Sequence, residues 1–561
     1  MTRNAFFFVS FAILAASGCG SSTTGTPEAP EIDVQTPEDL AKQPELTSAD
    51  VAPELDLLQE TATDIVDDEI SDLVDIEDTF EIDICVPDCE GVECGDDGCG
   101  NACGECPDWA TCTAGLCLCI PDCENKECGD DGCNGSCGTC EEAHKCVEGM
   151  CKWDQCDDGN DVPWDGCNDG QLSELQVNTT TVGDQTAPSL AMLSNDHFVV
   201  VWEGAGQDGE DSGIAARLFD SQGLPLGSEI PVNQVTSLGQ FDPAVTASKD
   251  GFAVVWASDT DPEAAPEYDV VLRLFDVDGS PSSDDIPVNQ YTAADQWLPL
   301  PVAYPDGRLL VIWASENQDG AASGIMARWF DQDGVPTGAE IGLNSYWFSS
   351  QQSPAGVALA GGGVAACWSS FQQDGDLMGI FTRVFDQDFS PLEEEFQANQ
   401  YLVDDQHFAH LLALPDGGFM TSWSSWGQDG SKFGVYARAF SAAGQPAGDE
   451  FLLNATTYSS QDHPALAQLD EGRLVAVWQG NIQDGEEWGI FARFLEADFT
   501  VPEPEFGINI HTAKDQQYPV VASFVDGNFV VAWESFQQDG DGRGIFAALF
   551  DKAGNRLSAT P

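Results

Sequence analysis

Seven copies of one phrase occupy the C-terminal two-thirds of this 561-residue chain. In the last copy, Trp533 is followed five residues later by Gln538-Asp539-Gly540. The same phrase recurs after five other tryptophans, Trp202, Trp313, Trp368, Trp423 and Trp478. The copy after Trp256 keeps the tryptophan but has a different, longer loop. A fixed period of this kind means that one structural unit is repeated, and the unit decides the fold.

Two polar residues mark the period. An Asn closes the last strand of each unit at intervals of 55 or 56 residues: Asn178, Asn233, Asn289, Asn344, Asn399, Asn454 and Asn509. A Gln follows each Asn seven residues later: Gln185, Gln240, Gln296, Gln351, Gln406, Gln461 and Gln516. We expect these glutamines to satisfy backbone groups between units, because buried backbone groups need partners in every copy.

Each repeat contains four short apolar runs. In the second repeat, Asp250-Gly251 is a tight-turn signal that joins the first two runs. The run at 198–202, Phe-Val-Val-Val-Trp, is apolar on both alternating faces, so this strand must be covered on both sides. Seven antiparallel units of four strands, each sandwiched between two neighbours, predict an all-β fold, a seven-bladed β-propeller over residues 173–561. An open β-solenoid is the alternative.

The ends of this region predict how the ring closes. The last repeat stops at residues 558–561, where its fourth strand should begin. The first repeat is preceded by a surplus strand of the fourth type at 174–178. We therefore expect the surplus strand to complete the last blade, which removes two exposed sheet edges.

The first 84 residues are predicted to be a targeting segment and a tether. Arg3, an apolar run at 5–16 and small residues before Cys19 are typical of an export signal at 1–18. Residues 19–84 are rich in Thr, Pro, Glu and Asp, which predicts a disordered acidic tether. The net charge of −78 excludes a sequence-independent nucleic-acid binder, because phosphates would be repelled.

Two eight-cysteine modules follow, at 85–118 and 119–151. The first contains Cys85, Cys89, Cys94, Cys99, Cys103, Cys106, Cys112 and Cys117. The second repeats every spacing with Cys119, Cys123, Cys128, Cys133, Cys137, Cys140, Cys146 and Cys151. An even cysteine count in a small exported module predicts four disulfides in each, with connectivity left open. Zinc is the alternative, since Cys-x-x-Cys has ligand spacing. Segment 152–172 adds Cys156 and Cys167, predicted to close a turn by a disulfide.

Three stretches resemble known bacterial families. The segment that ends at Cys19 resembles the lipobox of bacterial lipoproteins, which implies lipidation of Cys19, a membrane partner and, because Gly20 follows, delivery to the outer membrane. Residues 85–170 resemble the cysteine-rich repeats of delta-proteobacterial surface proteins, which implies a cell-surface context. Residues 173–561 resemble the tandem propeller-type repeats of large secreted bacterial proteins.

Strand alternation places two sets of loops on one face of the predicted propeller. One set joins second to third strands and carries Gln-Asp-Gly; the other joins each fourth strand to the next first strand. We expect this face to be the working face, because binding residues gather on loops of a rigid scaffold. Its recurrent Asp residues are expected to cap turns. Calcium binding is the alternative for Asp208, Asp319, Asp374, Asp429, Asp484 and Asp539.

Other recurrent residues are expected to be structural. The seven repeat tryptophans should lie in the core, and Cys367 should be a buried free thiol. Six repeats place an Arg in one register of the third strand: Arg217, Arg273, Arg328, Arg383, Arg438 and Arg493. We expect each of them to pair with a carboxylate across a blade interface.

Aromatic residues on the working face are the candidate ligand-binding groups: Trp297, Trp347, Trp426, Trp488 and Tyr401. Aromatic rings beside amides and carboxylates suit a glycan or a protein partner. No nucleophile elbow, phosphate loop or metalloprotease motif is present, and His407, His463 and His511 are scattered singly, so the chain is not expected to be an enzyme. The predicted function is recognition or scaffolding by a membrane-tethered, surface-exposed protein. The alternatives are a hydrolase or lyase acting on polysaccharide and a calcium-stabilised structural surface protein.

Overall fold

The computed structural model describes residues 174–561 except 208–210, 260–266, 321, 486 and 558–561. Before residue 174 it describes the backbone of three hairpins: β1 (Thr111–Thr113) with β2 (Leu116–Leu118), β3 (His144–Val147) with β4 (Met150–Trp153), and β5 (Cys167–Asn168) with β6 (Gln171–Leu172). The first two hairpins occupy equivalent positions of the two modules, with Cys112 opposite Cys117 and Cys146 opposite Cys151.

Several predictions fall outside these described residues and stay predictions. They are the signal segment, lipidation at Cys19, the acidic tether and the disulfides of the cysteine modules. In the part of the chain that is described, no helix is long and apolar enough to cross a membrane.

The repeats form seven blades in chain order, six of them four-stranded and the seventh five-stranded, because the short strand β7 (Leu175–Gln176), which precedes blade 1, also joins blade 7. Blade 1 consists of β8 (Gln185–Met192), β9 (Phe198–Ala205), β10 (Ser212–Phe219) and β11 (Ile230–Pro231). Blade 2 consists of β12 (Gln240–Ala247), β13 (Gly251–Asp259), β14 (Tyr268–Asp276) and β15 (Ile286–Pro287). Blade 3 consists of β16 (Gln296–Ala303), β17 (Leu309–Glu316), β18 (Ser323–Phe330) and β19 (Ile341–Gly342).

The other four blades repeat this arrangement. Blade 4 consists of β20 (Gln351–Ala358), β21 (Val364–Phe371), β22 (Met378–Phe385) and β23 (Phe396–Gln397). Blade 5 consists of β24 (Gln406–Ala413), β25 (Phe419–Trp426), β26 (Phe433–Phe440) and β27 (Phe451–Leu452). Blade 6 consists of β28 (Gln461–Gln468), β29 (Leu474–Asn481), β30 (Trp488–Leu495) and β31 (Phe506–Gly507), with a 3₁₀ turn at Asp470–Gly472. Blade 7 consists of β32 (Gln516–Ser523), β33 (Phe529–Phe536), β34 (Arg543–Phe550) and β35 (Arg556–Leu557).

Every blade is a sequential antiparallel meander, and the predicted seven-bladed propeller is confirmed. The first strands of successive blades lie against one another around the whole ring, including β32 against β8. They therefore surround the axis. Apolar side chains from facing blades form the core between them, as where Val255 and Leu272 of blade 2 pack with Trp313 and Phe330 of blade 3.

The second strands are the most deeply buried part of each blade. Residues 198–202 are fully buried, as expected for a strand that is apolar on both faces. The seven repeat tryptophans are at most 1% exposed, which confirms that they belong to the core. Cys367, beside Trp368, is a buried free thiol, as predicted, and burial raises its pKa well above the ordinary value.

The surplus N-terminal strand closes the ring, as predicted. Strand β7 pairs with β34, placing Leu175 opposite Ala547 and Gln176 opposite Phe546. The equivalent pairs in blade 1 join β10 to β11, so β7 occupies the fourth-strand position of blade 7. Leu175 is 4% exposed and Val177 is fully buried, so the N-terminal strand also supplies apolar cover.

A recurrent acid strengthens each blade junction. Glu174 accepts hydrogen bonds from the side chain of Gln538 (2.6 Å) and from the backbone N–H groups of Ile510 and His511. The same contacts are made by Glu229, Glu340, Glu395, Glu450 and Glu505 at five of the other six junctions. Each of these Glu residues therefore joins the Gln of one blade to the loop that leaves the preceding blade. At the junction of blades 1 and 2, Asp285 takes this place and accepts from the Gln234 N–H.

The prediction that the six recurrent Arg residues pair with carboxylates across a blade interface is wrong, although Arg273 Nε lies 3.8 Å from Asp285 Oδ1 within blade 2. Arg493 donates through Nη1 to the carbonyl of Leu453 in the preceding blade (3.0 Å), and the other five Arg residues make the same bond. Because a buried carbonyl also needs a donor, the guanidinium serves the backbone instead. Blade 7 has Ala548 in this register, and Arg556 reaches the corresponding carbonyl of Ile508.

Candidate functional site

The two predicted loop sets emerge on one face of the ring, which we call the Gln face. They meet directly there: the side chain of Asn178 donates to Asp539 of blade 7 (3.1 Å), and the Arg543 N–H donates to Asp184 (2.9 Å). The recurrent Gln residues at the start of the first strands are fully buried, and Gln185 bonds Asn178 and backbone carbonyls of its own loop. This confirms their structural role.

Where the first strands begin, at the Gln face, every blade contains a β-bulge. Its third residue has a left-handed φ of between +49° and +55° in all seven copies, although none is glycine: Ala187, Asp242, Leu298, Ser353, Phe408, His463 and Tyr518. At each bulge the pairing with the second strand slips, for example between Thr186 and Ser189. The first strands surround the axis, so these seven residues ring its opening on the Gln face, which we call the mouth.

The bulges tie neighbouring blades together at the mouth. A bulge N–H no longer serves the strand ladder and is free to bond a side chain. It donates to the residue that follows the core tryptophan of the preceding blade: Tyr518 N–H to Gln479 Oε1 (2.8 Å), His463 N–H to Ser424 Oγ (3.1 Å), and Ala187 N–H to Glu534 Oε1 (2.7 Å). The Asp242 N–H bonds the carboxyl of Glu203 in the same way.

Three repeat-breaking acids gather here from blades 7, 1 and 2. Burial, together with the neighbouring carboxylates of Asp242 and Glu534, raises the pKa of Glu203 to about 8. Burial raises the pKa of Glu534 to about 7, although Arg543 favours its ionised form. Burial also raises the pKa of Asp242 to about 6, against the opposing effect of a bond from the Leu298 N–H. At neutral pH, Glu203 is therefore mainly protonated, whereas Asp242 is mainly ionised.

Arg543 holds one of these acids in place. Its Nη1 lies 3.1 Å from Glu534 Oε2, and its Nη2 donates to Gln517 Oε1 (2.9 Å). Because Glu534 is only 3% exposed, its carboxyl is shielded from solvent, and the ion pair with Arg543 keeps it in one orientation.

An aromatic arc continues the mouth through blades 5, 6 and 7. The ring of Phe408 stacks on His463 with a centroid distance of 3.7 Å and on His407 at 4.0 Å. The His463 ring meets Tyr518 edge to face at 4.8 Å, and Tyr518 is 38% exposed. Asp462 accepts a bond from Gln479 (2.6 Å) and lies 2.8 Å from His463 Nδ1. Burial and His463 lower the pKa of His407 to about 3, so His407 is neutral.

This arrangement can perform acid–base chemistry. A carboxyl that stays protonated near pH 7 can donate a proton, while a nearby carboxylate can accept one, and environments that separate two pKa values assign these roles. Glu203, Asp242 and Glu534 were not predicted from the sequence. A signal was available, because Glu203 and Glu534 follow the core tryptophan where the other repeats have Ala257, Ala314, Ser369, Ser424 and Gln479.

Of the three predicted His residues, the structure brings two together. His407 and His463 both contact Phe408, as described above. His511 lies instead in the loop clamped by Glu174.

The predicted ligand-binding aromatics are spread over the Gln face. Trp347 is 50% exposed and stacks on Phe348 at 4.2 Å, and Trp426 is 38% exposed and packs edge to face on Phe433. Trp297 is partly buried and packs against the core of blades 3 and 4. Trp488 and Tyr401 are also partly buried.

The Asp residues of the Gln-Asp-Gly loops lie beside the outer part of each blade. Asp319 and Asp539 accept bonds from Asn344 and Asn178, and Asp429 caps its own turn through the Ser431 N–H. Asp374 does both, accepting from Gln397 and from the Asp376 N–H, while Asp484 has its carboxylate against Gly489. Asp208 lies outside the described residues. Among those that are described, no three His, Cys, Asp or Glu residues form a group that could hold a metal ion.

Comparisons with known proteins agree with the fold. No family model and no curated protein matches the chain. Solved structures that match include a protein of unknown function from Dyadobacter fermentans, with 13% identity, a TM-score of 0.42, and coverage of 68% of this chain and 98% of that one. A Penicillium chrysogenum alpha-L-arabinanase has 13% identity, a TM-score of 0.40, and coverage of 59% and 100%. The NanB sialidase of Streptococcus pneumoniae has 8% identity, a TM-score of 0.41, and coverage of 68% and 70%.

These comparisons correct one expectation. The prediction that the chain is not an enzyme is wrong, because structures that share its propeller fold include glycoside hydrolases and a lyase. At 8–13% identity and TM-scores of 0.40–0.42, the likenesses carry no substrate or mechanism to this chain.

Proposed function

We propose that the protein is an enzyme that cleaves polysaccharide by acid–base catalysis at the mouth. The observation that carries the proposal is the cluster of Glu203, Asp242 and Glu534, three acids with raised pKa values that break the repeat and meet from three blades. Perturbed carboxyls gathered in one place are typical of catalytic sites.

The environments of the three acids suggest distinct roles. Glu203, protonated at neutral pH, is the proton donor to the leaving oxygen of a glycosidic bond. Asp242, ionised at the same pH, is the opposing carboxylate: it accepts a proton from the water whose oxygen bonds to the sugar carbon as the bond to the leaving oxygen breaks. Glu534 forms an ion pair with Arg543 and accepts a hydrogen bond from the Ala187 N–H. We therefore assign it as a positioning residue, whose negative charge helps to keep the pKa of Glu203 raised.

Glycan or protein recognition by the Gln face is the second candidate function. The stacked pair Trp347 and Phe348 favours it, because a flat aromatic surface that is 50% and 69% exposed can stack on a sugar ring or anchor a protein partner. Both functions suit a lipid-anchored protein at the outer membrane, which remains our proposal for its location. Metabolic labelling with a fatty acid, compared between the native chain and Cys19→Ser, tests the anchor.

A panel of soluble polysaccharides tests the enzyme proposal. The full chain should release reducing ends from at least one polymer, and Glu203→Gln should lower the rate by about 100-fold or more, the range expected when a general acid is lost. Glu471→Gln, an exposed acid on the opposite face, is the matched control and should leave the rate unchanged. Binding without release by the native chain would favour the second candidate.

A further inference from the structure

The charge of the Gln face points to the class of polysaccharide that it accepts. The 2–3 and 4–1 loops together contain twenty Asp or Glu residues and two basic residues, Lys432 and Lys514. Every one of the seven 2–3 loops contributes at least one acid. A polymer that approaches the mouth therefore passes through a region of negative electrostatic potential.

The mouth itself offers no free cation among the residues that the structure describes there. His463 Nδ1 lies 2.8 Å from Asp462 Oδ1. Arg543 is engaged by Glu534 and Gln517. His407 is neutral because burial lowers its pKa to about 3. A carboxylate or sulfate group on a sugar needs a cation or an array of donors to replace its hydration. Next to Asp242, which is mainly ionised at neutral pH, it would meet like charge instead.

We infer that the mouth and the Gln face accept polysaccharides that lack carboxylate and sulfate groups. The inference rests on the proposed function, since it assigns the substrate class of that same site. Uncharged sugars suit the groups on this face: a sugar ring can stack on aromatic surfaces such as Trp347 and Phe348, and sugar hydroxyls can hydrogen-bond to carboxyl and amide groups.

Binding to matched polymers tests the inference separately from catalysis. The probes are arabinan, galactomannan, xyloglucan and dextran, each compared with a derivative whose hydroxyls are partly converted to carboxylates. Affinity electrophoresis with the full-chain Glu203→Gln variant avoids cleavage during the measurement. At 10 mM salt we expect at least one neutral polymer to bind about tenfold or more tightly than its oxidised derivative. This difference in affinity should become smaller at 0.5 M salt, because salt screens the repulsion between the acidic face and the carboxylates of the oxidised polymer.

Two triple variants locate the effect. Asp211→Asn, Glu487→Gln and Asp541→Asn remove three exposed acids from the Gln face, and Asp211 is close enough to Glu203 to raise its pKa. In this variant, the ratio of the affinity for the neutral polymer to the affinity for its oxidised derivative should fall several-fold. The control Asp250→Asn, Asp333→Asn and Asp388→Asn makes the same charge change in exposed turns of the opposite face and should leave this ratio unchanged.

The outcomes separate the two proposals. Tighter binding of any oxidised polymer, no binding of any neutral one, or equal effects of the two triple variants would overturn the inference. The proposed function is judged by cleavage instead: an unaltered rate in Glu203→Gln, or no release from any polymer, would overturn it even if neutral polymers bind.

Discussion

The closing strand provides a direct test of how the ring is held together. We predict that the double variant Leu175→Ala with Val177→Ala loses about 4–6 kcal/mol of unfolding free energy. Leu175 is 4% exposed and Val177 is fully buried between blades 7 and 1. A buried Leu→Ala change costs about 2–5 kcal/mol, and each methyl group lost from Val adds about 0.8 kcal/mol. The backbone bond from Val177 N–H to the Ile545 carbonyl (2.8 Å) remains possible in the variant.

Urea unfolding followed by tryptophan fluorescence measures this loss, because the buried repeat tryptophans change environment when blades separate. Val232 occupies the equivalent, fully buried position after blade 1, so Val177→Ala and Val232→Ala should cost the same within error. Val182→Ala, at a side chain that is 73% exposed, is the control and should cost nothing measurable. An unchanged midpoint for the double variant, alongside a destabilised Val232→Ala, would refute closure by the N-terminal strand.

Three further predictions concern stability, redox state and binding. Between about pH 4.5 and 8, Glu203 is protonated in the folded protein but ionised in the unfolded chain, so its contribution to the free energy of unfolding becomes more unfavourable as the pH rises. Relative to the native chain, Glu203→Gln should therefore gain about 3 kcal/mol or more of unfolding free energy at pH 8 but little at pH 4.5. Urea unfolding at both pH values measures the difference. An equal effect at both pH values would contradict the raised pKa. Thiol counting on the denatured, exported protein should find Cys367 alone, whereas many free thiols or stoichiometric zinc would contradict disulfides in the cysteine modules. Trp347→Ala, at an exposed side chain, should weaken binding of a confirmed ligand by about 1–3 kcal/mol in calorimetry without unfolding the protein. Trp313→Ala, at a buried side chain, should instead cost about 3–5 kcal/mol of stability in urea unfolding. The reverse pattern would contradict the surface position of Trp347 and the core position of Trp313.

The fold could be predicted because its determinants recur in every copy. The signals are local: alternating apolar residues, buried tryptophans and tight turns. Because they recur seven times, the pattern cannot be mistaken for chance. The partner of the closing strand was also predictable, since one end of the repeat region had a surplus strand and the other lacked one. The Arg residues were misinterpreted because their acceptor, the carbonyl of Leu453 in the case of Arg493, belongs to the backbone and has no sequence signature.

The candidate site was harder to predict because its residues come from distant parts of the chain. Glu203 and Glu534 are brought together only when blade 7 closes on blade 1. The bulge that presents Asp242 has a left-handed φ of +52°, yet no glycine marks it. Residue spacing therefore predicted which loops share a face but not the acids that converge at its centre.

The pH dependence of polysaccharide cleavage tests the central claim most directly. With a polymer that the native chain cleaves, the rate should fall above about pH 8 as Glu203 ionises, and below about pH 6 as Asp242 becomes protonated. Glu203→Gln should abolish the alkaline limb along with most of the activity. Native activity that is independent of pH between 5 and 9, or full activity in Glu203→Gln, would contradict acid–base catalysis at the mouth.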